Sequence, residues 1–206
     1  MLLSLHDQTG VPVARGYMQM VGTAILCELV ELGRIRIGNA PKHLVTLKTK
    51  KSVGDPILDE LQARMICKKN PKRLTFWIGS ASSRAFNQRI CNSLSERGIL
   101  KKFERKIFWG FRKSAYPDAR NGHKEEIRRR MEAVMFNGKI KPDPRTAALV
   151  SIVDNCQLMD MNFPAIELRR CKKRIKWIQE HATLPSTNMV STAFRAAWAN
   201  STAGMY

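Results

Sequence analysis

Acidic residues are scarce in this 206-residue sequence, where 17 Asp and Glu stand against 36 Lys and Arg for a formal charge of +19 at pH 7. So one-sided a balance favours polyanionic partners, either nucleic acid or an anionic membrane face. Long apolar runs are missing, and without the ~18 to 20 residues a spanning helix requires, no transmembrane segment is expected. The opening Met1-Leu2-Leu3-Ser4-Leu5 meets His6 and Asp7 at once, so it has neither the basic start nor the apolar middle of a secretory signal. A cytosolic protein is expected. Cysteine is sparse too: Cys27, Cys67, Cys91, Cys156 and Cys171 are odd in number, widely spaced and without a C-x-x-C pair. That pattern argues against a disulfide framework or a zinc site and reads as small core residues in a reducing compartment. Low-complexity linkers, repeats and composition breaks are also lacking, so residues 1–206 read as a single domain, with 44% hydrophobic residues to fill its core.

The motifs of common chemistry are missing as well. No P-loop, G-x-G-x-x-G, G-x-S-x-G, H-E-x-x-H or EF-hand spacing occurs. His6-Asp7 joins a His to a carboxylate, and its position before Thr9-Gly10 reads as a turn. Asp59 and Glu60 are neighbours on a helix, point to different sides, and read as solvated face rather than an acid/base pair. His43, His123 and His181 lack ligand-type partners at i+3 or i+4, and Cys171 lies among Arg and Lys without a candidate base. No catalysis, metal or cofactor is expected, and an enzyme with an unusual site ranks last among the functional readings.

What the sequence does contain is helix punctuation. Ala24, Ile25, Leu26, Leu29, Val30 and Leu32 follow helical spacing to Gly33, after which Arg34-Ile35-Arg36-Ile37 alternates like a short strand. Asp55-Pro56 joins a capping residue to a proline at the first helical position, with Ile57, Leu58, Leu61 and Met65 on one face. Ser82 or Ser83 caps a helix carrying Phe86, Ile90 and Leu94, stopped by Gly98. Glu125 and Glu126 favour the positive start of a helix with Ile127, Met131, Val134 and Met135, closed by Gly138. Asp143-Pro144 opens a very apolar helix through Ala147, Ala148, Leu149, Val150, Ile152 and Val153, expected at the centre of the core. Two more helices follow, one with Ile166, Cys171, Ile175 and Ile178 beneath a basic face, the other with Val190, Phe194, Ala197 and Trp198. The expected fold is mainly α: one compact helical domain with a protruding β-hairpin and one or two short strands.

The hairpin, at about 99–113, carries the strongest functional signal. Its β-formers and aromatics flank Glu104-Arg105-Lys106. Between residues 101 and 113, the six cations Lys101, Lys102, Arg105, Lys106, Arg112 and Lys113 face one acid, a net of +5, with Phe103, Phe108, Trp109 and Phe111 among them. Aromatics would sit at a membrane interface while cations meet head groups, or the ribbon would follow a nucleic-acid backbone. At about 1 kcal/mol per cation, +5 supplies at most about 5 kcal/mol, a dissociation constant near the millimolar range, so stable residence needs a second contribution. Two other basic clusters are Arg128 to Arg130 and Arg169 to Lys176; the second fits a solvated helix face as well as a docking surface, with the solvated face slightly favoured.

Several blocks resemble one known family. Leu2-Leu3-Ser4-Leu5-His6-Asp7-x-x-Gly10, Glu28-Leu29-Val30-Glu31-Leu32-Gly33-Arg34-Ile35, Gly54-Asp55-Pro56-Ile57-Leu58-Asp59-Glu60, Leu94-Ser95-Glu96-Arg97-Gly98-Ile99-Leu100 and Asp143-Pro144-Arg145-Thr146-Ala147-Ala148-Leu149 are similar, in the same order, to segments of the Golgi phosphoprotein 3 family. The stretch from Thr187 to Ala199 is similar too. The resemblance implies a mostly helical, non-catalytic domain that binds phosphatidylinositol 4-phosphate on a cytosolic membrane face, with a hydrophobic hairpin for membrane contact and self-association. For eukaryotic members it further implies Golgi location, contact with coat proteins and capture of the cytosolic tails of membrane-bound glycosyltransferases. The acidic or low-complexity tail of such members is missing, which fits a prokaryotic or divergent member.

The family's head-group pocket uses a tryptophan and an arginine near the first long helix and two arginines three apart on the helix before the hairpin. In this sequence the tryptophan position falls between Val13 and Arg15, the first arginine on Gly22, and the pair on Arg84 and Asn87; Arg89 matches a family arginine outside the pocket. The expected head-group contacts are therefore Arg84, with Arg15 and Arg89 as helpers. The expected membrane-contacting hairpin comprises Lys101, Lys102, Phe103, Arg105, Lys106, Phe108, Trp109, Phe111, Arg112 and Lys113. From a different class, a winged-helix-like nucleic-acid binder also fits a helix over Ser83 to Arg97 followed by a basic hairpin.

Overall fold

A computed structural model describes residues 1–12, 17–39, 41–106, 112–119 and 122–181, with 104–106 and 112–114 described by their backbone. Helix α1, Tyr17–Glu31, buries Leu26 and Leu29 completely. Gly33 ends it at φ +65, a left-handed turn that lets the Arg34 N–H reach back to the Leu29 carbonyl at 2.8 Å. The chain then enters β1, Ile35–Ile37, and returns antiparallel as β2, Leu44–Leu47.

Asp55 caps α2, Pro56–Ile66, by accepting from the Ile57 and Leu58 N–H groups at 2.9 and 3.1 Å. Strand β3, Lys72–Arg73, completes a sheet of order β1-β2-β3. Helix α3, Leu74–Ala81, follows directly and buries Leu74, Trp77 and Ile78 against α1. Ser83 caps α4, Arg84–Glu96, and Gly98 closes it at φ +68. Strands β4, Phe103–Lys106, and β5, Arg112–Ala115, form a separate antiparallel hairpin. The second half is helical: α5, His123–Phe136; α6, Pro144–Asn155; α7, Met159–Asn162; and α8, Ala165–His181.

The fold is mainly α, as expected. Its main core joins α1, α3, α5, α6 and α8 through residues such as Leu26, Ile78, Met131, Val150 and Ile178. A smaller cluster of Leu5, Cys91, Leu100 and Tyr116 seals the root of the hairpin. Several expectations need correction. The small sheet has three strands; Ile35–Ile37 alternates as expected, whereas Leu44–Leu47 is apolar at three of four positions and Lys72–Arg73 has only two residues. Helix α3 has no charged residue and no capping side chain, two features that make a helix readable. The paired strands begin at Phe103 and end at Ala115, so Ile99 and Leu100 belong to the hairpin's root. Ile166 is 63% exposed rather than buried, and Cys67 is exposed rather than in the core. Asp59 is not merely solvated: it accepts from Ser52 Oγ and Val53 N, each at 2.6 Å, closing the turn before α2. The expected helix around Val190 to Trp198 lies outside the described residues.

At the start of α6, burial alone would raise the Asp143 carboxyl, but the Thr146 hydroxyl and N–H hold it below its ordinary 3.8. A lowered carboxylate stabilises the fold above its unfolded value and loses that contribution as pH falls through the folded one. Asp143→Ala is therefore expected to cost about 1 kcal/mol at neutral pH, and urea titrations should show wild type and variant converging as pH drops below 3.8.

Candidate functional site

Arg84 occupies the first helical position of α4, where Ser83 turns the chain, and its side chain is exposed. Across from it stands Tyr17, the first residue of α1. The Tyr17 hydroxyl is raised chiefly by burial, while the charge of Arg84 acts in the opposite direction, so the two lie within electrostatic reach. Cys91 and Tyr116 act on the same hydroxyl. Tyr116 in turn accepts a 2.6 Å hydrogen bond from Gln88 Nε2, tying α4 to the foot of the hairpin. The best expected head-group residue and the hairpin root thus share one neighbourhood. Neither Tyr17 nor Gln88 carries a readable signal in the sequence, because both act through contacts distant in the chain.

The other expected positions lie in different surroundings. Gly22 faces the last turn of α3, where an added Cβ would lie 2.7 Å from Ser82 Oγ and 2.9 Å from the Ile78 carbonyl oxygen. Gly22 is therefore a backbone-close helix contact with no room for a side chain. Asn87 is 3% exposed; its Nδ2 donates to the Ser83 carbonyl at 3.1 Å, and its Oδ1 has no partner among the described residues. Gln19, one turn before Gly22 on α1, also has a buried carbonyl oxygen without a partner among the described residues. Arg89 is exposed but ion-paired with Glu60, which also holds Arg64 at 2.7 Å. That pairing engages its charge on the α2 side. Arg15 lies outside the described residues.

The hairpin is fastened at its base. Lys101 N–H donates to the Pro117 carbonyl at 2.8 Å, Ala119 N–H to Ile99 at 3.0 Å, and Tyr116 N–H to Gly10 at 3.0 Å. Gly10 has φ +62, and a Cβ there would fall 2.0 Å from the Pro117 nitrogen, so only glycine permits this approach. Beyond the base, Phe103 is 55% exposed, and Lys101 and Lys102 are exposed. The register sets Arg105 opposite Lys113 and Lys106 opposite Arg112. Cations opposite one another across an antiparallel ladder repel. Phe108, Trp109 and Phe111 lie outside the described residues.

Among the described residues, no group of His, Cys, Asp and Glu is arranged to hold a metal ion. Burial pushes the Cys27 and Cys156 thiols up to about 12, and Cys171 is also raised, chiefly by burial, despite its basic neighbours. These thiols are poor nucleophiles at neutral pH. His6 forms the expected turn, its Nδ1 accepting from the Gln8 and Thr9 N–H groups at 3.3 Å each. Its neighbour Asp7 pairs with the buried Lys124 and with Arg128 at 3.2 Å, joining the N-terminal turn to α5. That carboxylate holds the fold together.

A family model described as Golgi phosphoprotein 3 (GPP34) matches residues 1–200. The chain belongs to that family. A search of curated proteins found no match. The Golgi phosphoprotein 3 family is not known as a family of enzymes. In this chain Arg84 is exposed near the hairpin root, Gly22 is sealed against α3 and Asn87 is a buried amide.

Two substitutions test this geometry. Gly22→Arg is expected to unfold the α1–α3 contact and cost more than about 2 kcal/mol in a denaturant titration. Gly10→Ala is expected to loosen the hairpin root, read as faster amide exchange at Lys101 and Tyr116, with α6 amides left protected.

Proposed function

We propose that the protein is a non-catalytic peripheral membrane adaptor that binds anionic lipid head groups, with phosphatidylinositol 4-phosphate as the family's ligand. The observation that carries this reading is the hairpin itself. It rises from a root locked by Gly10, Tyr116 and Pro117, exposes Phe103, and sets cation opposite cation along its ladder. Such a ladder gains stability when an anionic surface lies against it. The intervening sequence Ile107-Phe108-Trp109-Gly110-Phe111 supplies rings suited to the head-group level of a bilayer. Membership of a family that associates with lipids supports the same reading. Among the described residues, no helix is long and apolar enough to cross a membrane.

In this reading the hairpin holds the leaflet through Lys101, Lys102, Arg105, Lys106, Arg112 and Lys113, while Phe108, Trp109 and Phe111 insert. Arg84 meets a phosphate near the hairpin root. Arg89, already bound to Glu60, would contribute only after releasing that carboxylate. With Gly22 sealed and Asn87 an amide, one guanidinium replaces the family's clamp, so selectivity among anionic lipids is modest. Self-association through the hairpin and capture of cytosolic tails remain within this adaptor role.

Vesicle sedimentation tests the reading. Wild type should prefer anionic over neutral vesicles. Arg84→Ala should lower binding to phosphatidylinositol 4-phosphate vesicles about tenfold, the loss of one charge-assisted contact, while leaving phosphatidylserine binding nearly intact. Trp109→Ala should weaken adhesion to both. Equal binding to neutral vesicles would reject the proposal, and saturable, steeply salt-dependent duplex-DNA binding with indifference to vesicles would favour the winged-helix alternative.

A further inference from the structure

Helix α8 presents a second basic surface that the hairpin reading does not use. Cys171, Ile175 and Ile178 form its buried face. On the outward side, Ile166, Arg170, Lys173 and Trp177 recur at i, i+4, i+7 and i+11, which places them on one stripe along the helix. All four are exposed, Ile166 by 63% and Trp177 by 38%. Arg169, Lys172 and Lys176 flank the stripe and are also exposed.

Charge and shape distinguish this face from ordinary solvated helix. Arg169, Arg170, Lys172 and Lys173 have no acidic partner among the described residues, while Lys176 has only a loose pair with Glu180 at 3.8 Å. Trp177 is held in place. The Arg174 guanidinium lies 4.2 Å from its ring centre, and His181 stacks on it at 4.8 Å with planes 7° apart. Arg174 is itself fixed by hydrogen bonds to the Val134 and Ile140 carbonyls at 3.2 and 2.6 Å, so the ring rides on a rigid support. An apolar residue at each end of a stripe of unpaired cations is the arrangement of an interfacial helix, in which the chain lies flat with rings and aliphatics at head-group level. A nucleic acid would use the cations but gives Ile166 nothing to bury against.

We infer that the outward face of α8, centred on Ile166, Arg170, Lys173 and Trp177, is a second contact surface for an anionic lipid bilayer, separate from the hairpin. The inference rests on the reading of the protein as a membrane binder and assigns it a further surface. Helix α8 packs on α5, α6 and α7, so its contact adds to that of the hairpin through effective concentration on one membrane, or joins a second membrane to the first.

The test uses the full chain on vesicles of phosphatidylcholine with phosphatidylserine, in wild-type and hairpin-disabled (Lys101→Glu, Lys102→Glu, Trp109→Ala) backgrounds. In both, Arg170→Gln with Lys173→Gln should reduce partitioning about tenfold. Brominated lipids should quench Trp177, seen as a component of the emission that Trp177→Phe removes. Unchanged thermal melting would show that these exposed substitutions leave the fold intact. Binding that depends on the hairpin yet ignores both α8 changes would overturn the inference while leaving the proposed function standing. Wild type that ignores the vesicles would overturn both. Loss of duplex-RNA binding in the α8 variant, with vesicle binding unchanged, would reassign the face to nucleic acid and also overturn it.

Discussion

The constraint behind this structure is a shortage of negative charge: 17 acids must serve a chain with 36 Lys and Arg. Many of those acids are engaged in holding the fold together. Asp55 and Asp143 cap helices, and Asp59 closes a turn. Glu28 binds Arg145 through both carboxylate oxygens, at 2.6 and 3.0 Å, joining α1 to α6. Asp7 joins the N-terminal turn to α5, and Glu60 gathers Arg64 and Arg89. The two basic surfaces keep an excess of cations in sequence: Glu104 is the one acid between residues 101 and 113, and on α8 Glu167 and Glu180 stand against six Lys and Arg. A net positive surface falls in energy when an anionic face approaches.

That distribution bears on the proposed membrane role. A pocket that clamps one phosphorylated head group depends on several guanidinium groups at fixed positions. In this chain Gly22 is sealed in the α1–α3 interface and Asn87 is a buried amide on α4. A surface attraction has no such geometric demand. It depends on how many cations reach the anionic face, so the proposal does not require a closed pocket.

Much of this architecture was legible in the sequence because its signals are local. Asp55-Pro56 and Asp143-Pro144 carry their caps within three residues, and Gly33 and Gly98 stop helices by adopting positive φ. Helix α3 escaped because it has no charged residue and no cap, β2 because its four residues do not alternate, and β3 because it has only two. At the site, Arg84, Gly22 and Asn87 could be singled out from the family resemblance. Their surroundings could not: the Gly22–Ser82 approach, the Arg89–Glu60 pair and the Tyr17–Arg84–Tyr116 neighbourhood each join residues remote in the chain. On α8 the basic cluster was visible, but its character depended on Ile166 facing outward, which its apolar side chain argued against.

The central claim is that the crowded cations of the hairpin meet an anionic bilayer, and hydrogen–deuterium exchange in the presence of vesicles tests it most directly. The account predicts that amides of Phe103–Lys106 and Arg112–Ala115 slow when phosphatidylserine vesicles are added, and recover when salt is raised. Vesicle-bound protein whose hairpin amides exchange as fast as in free solution would contradict it.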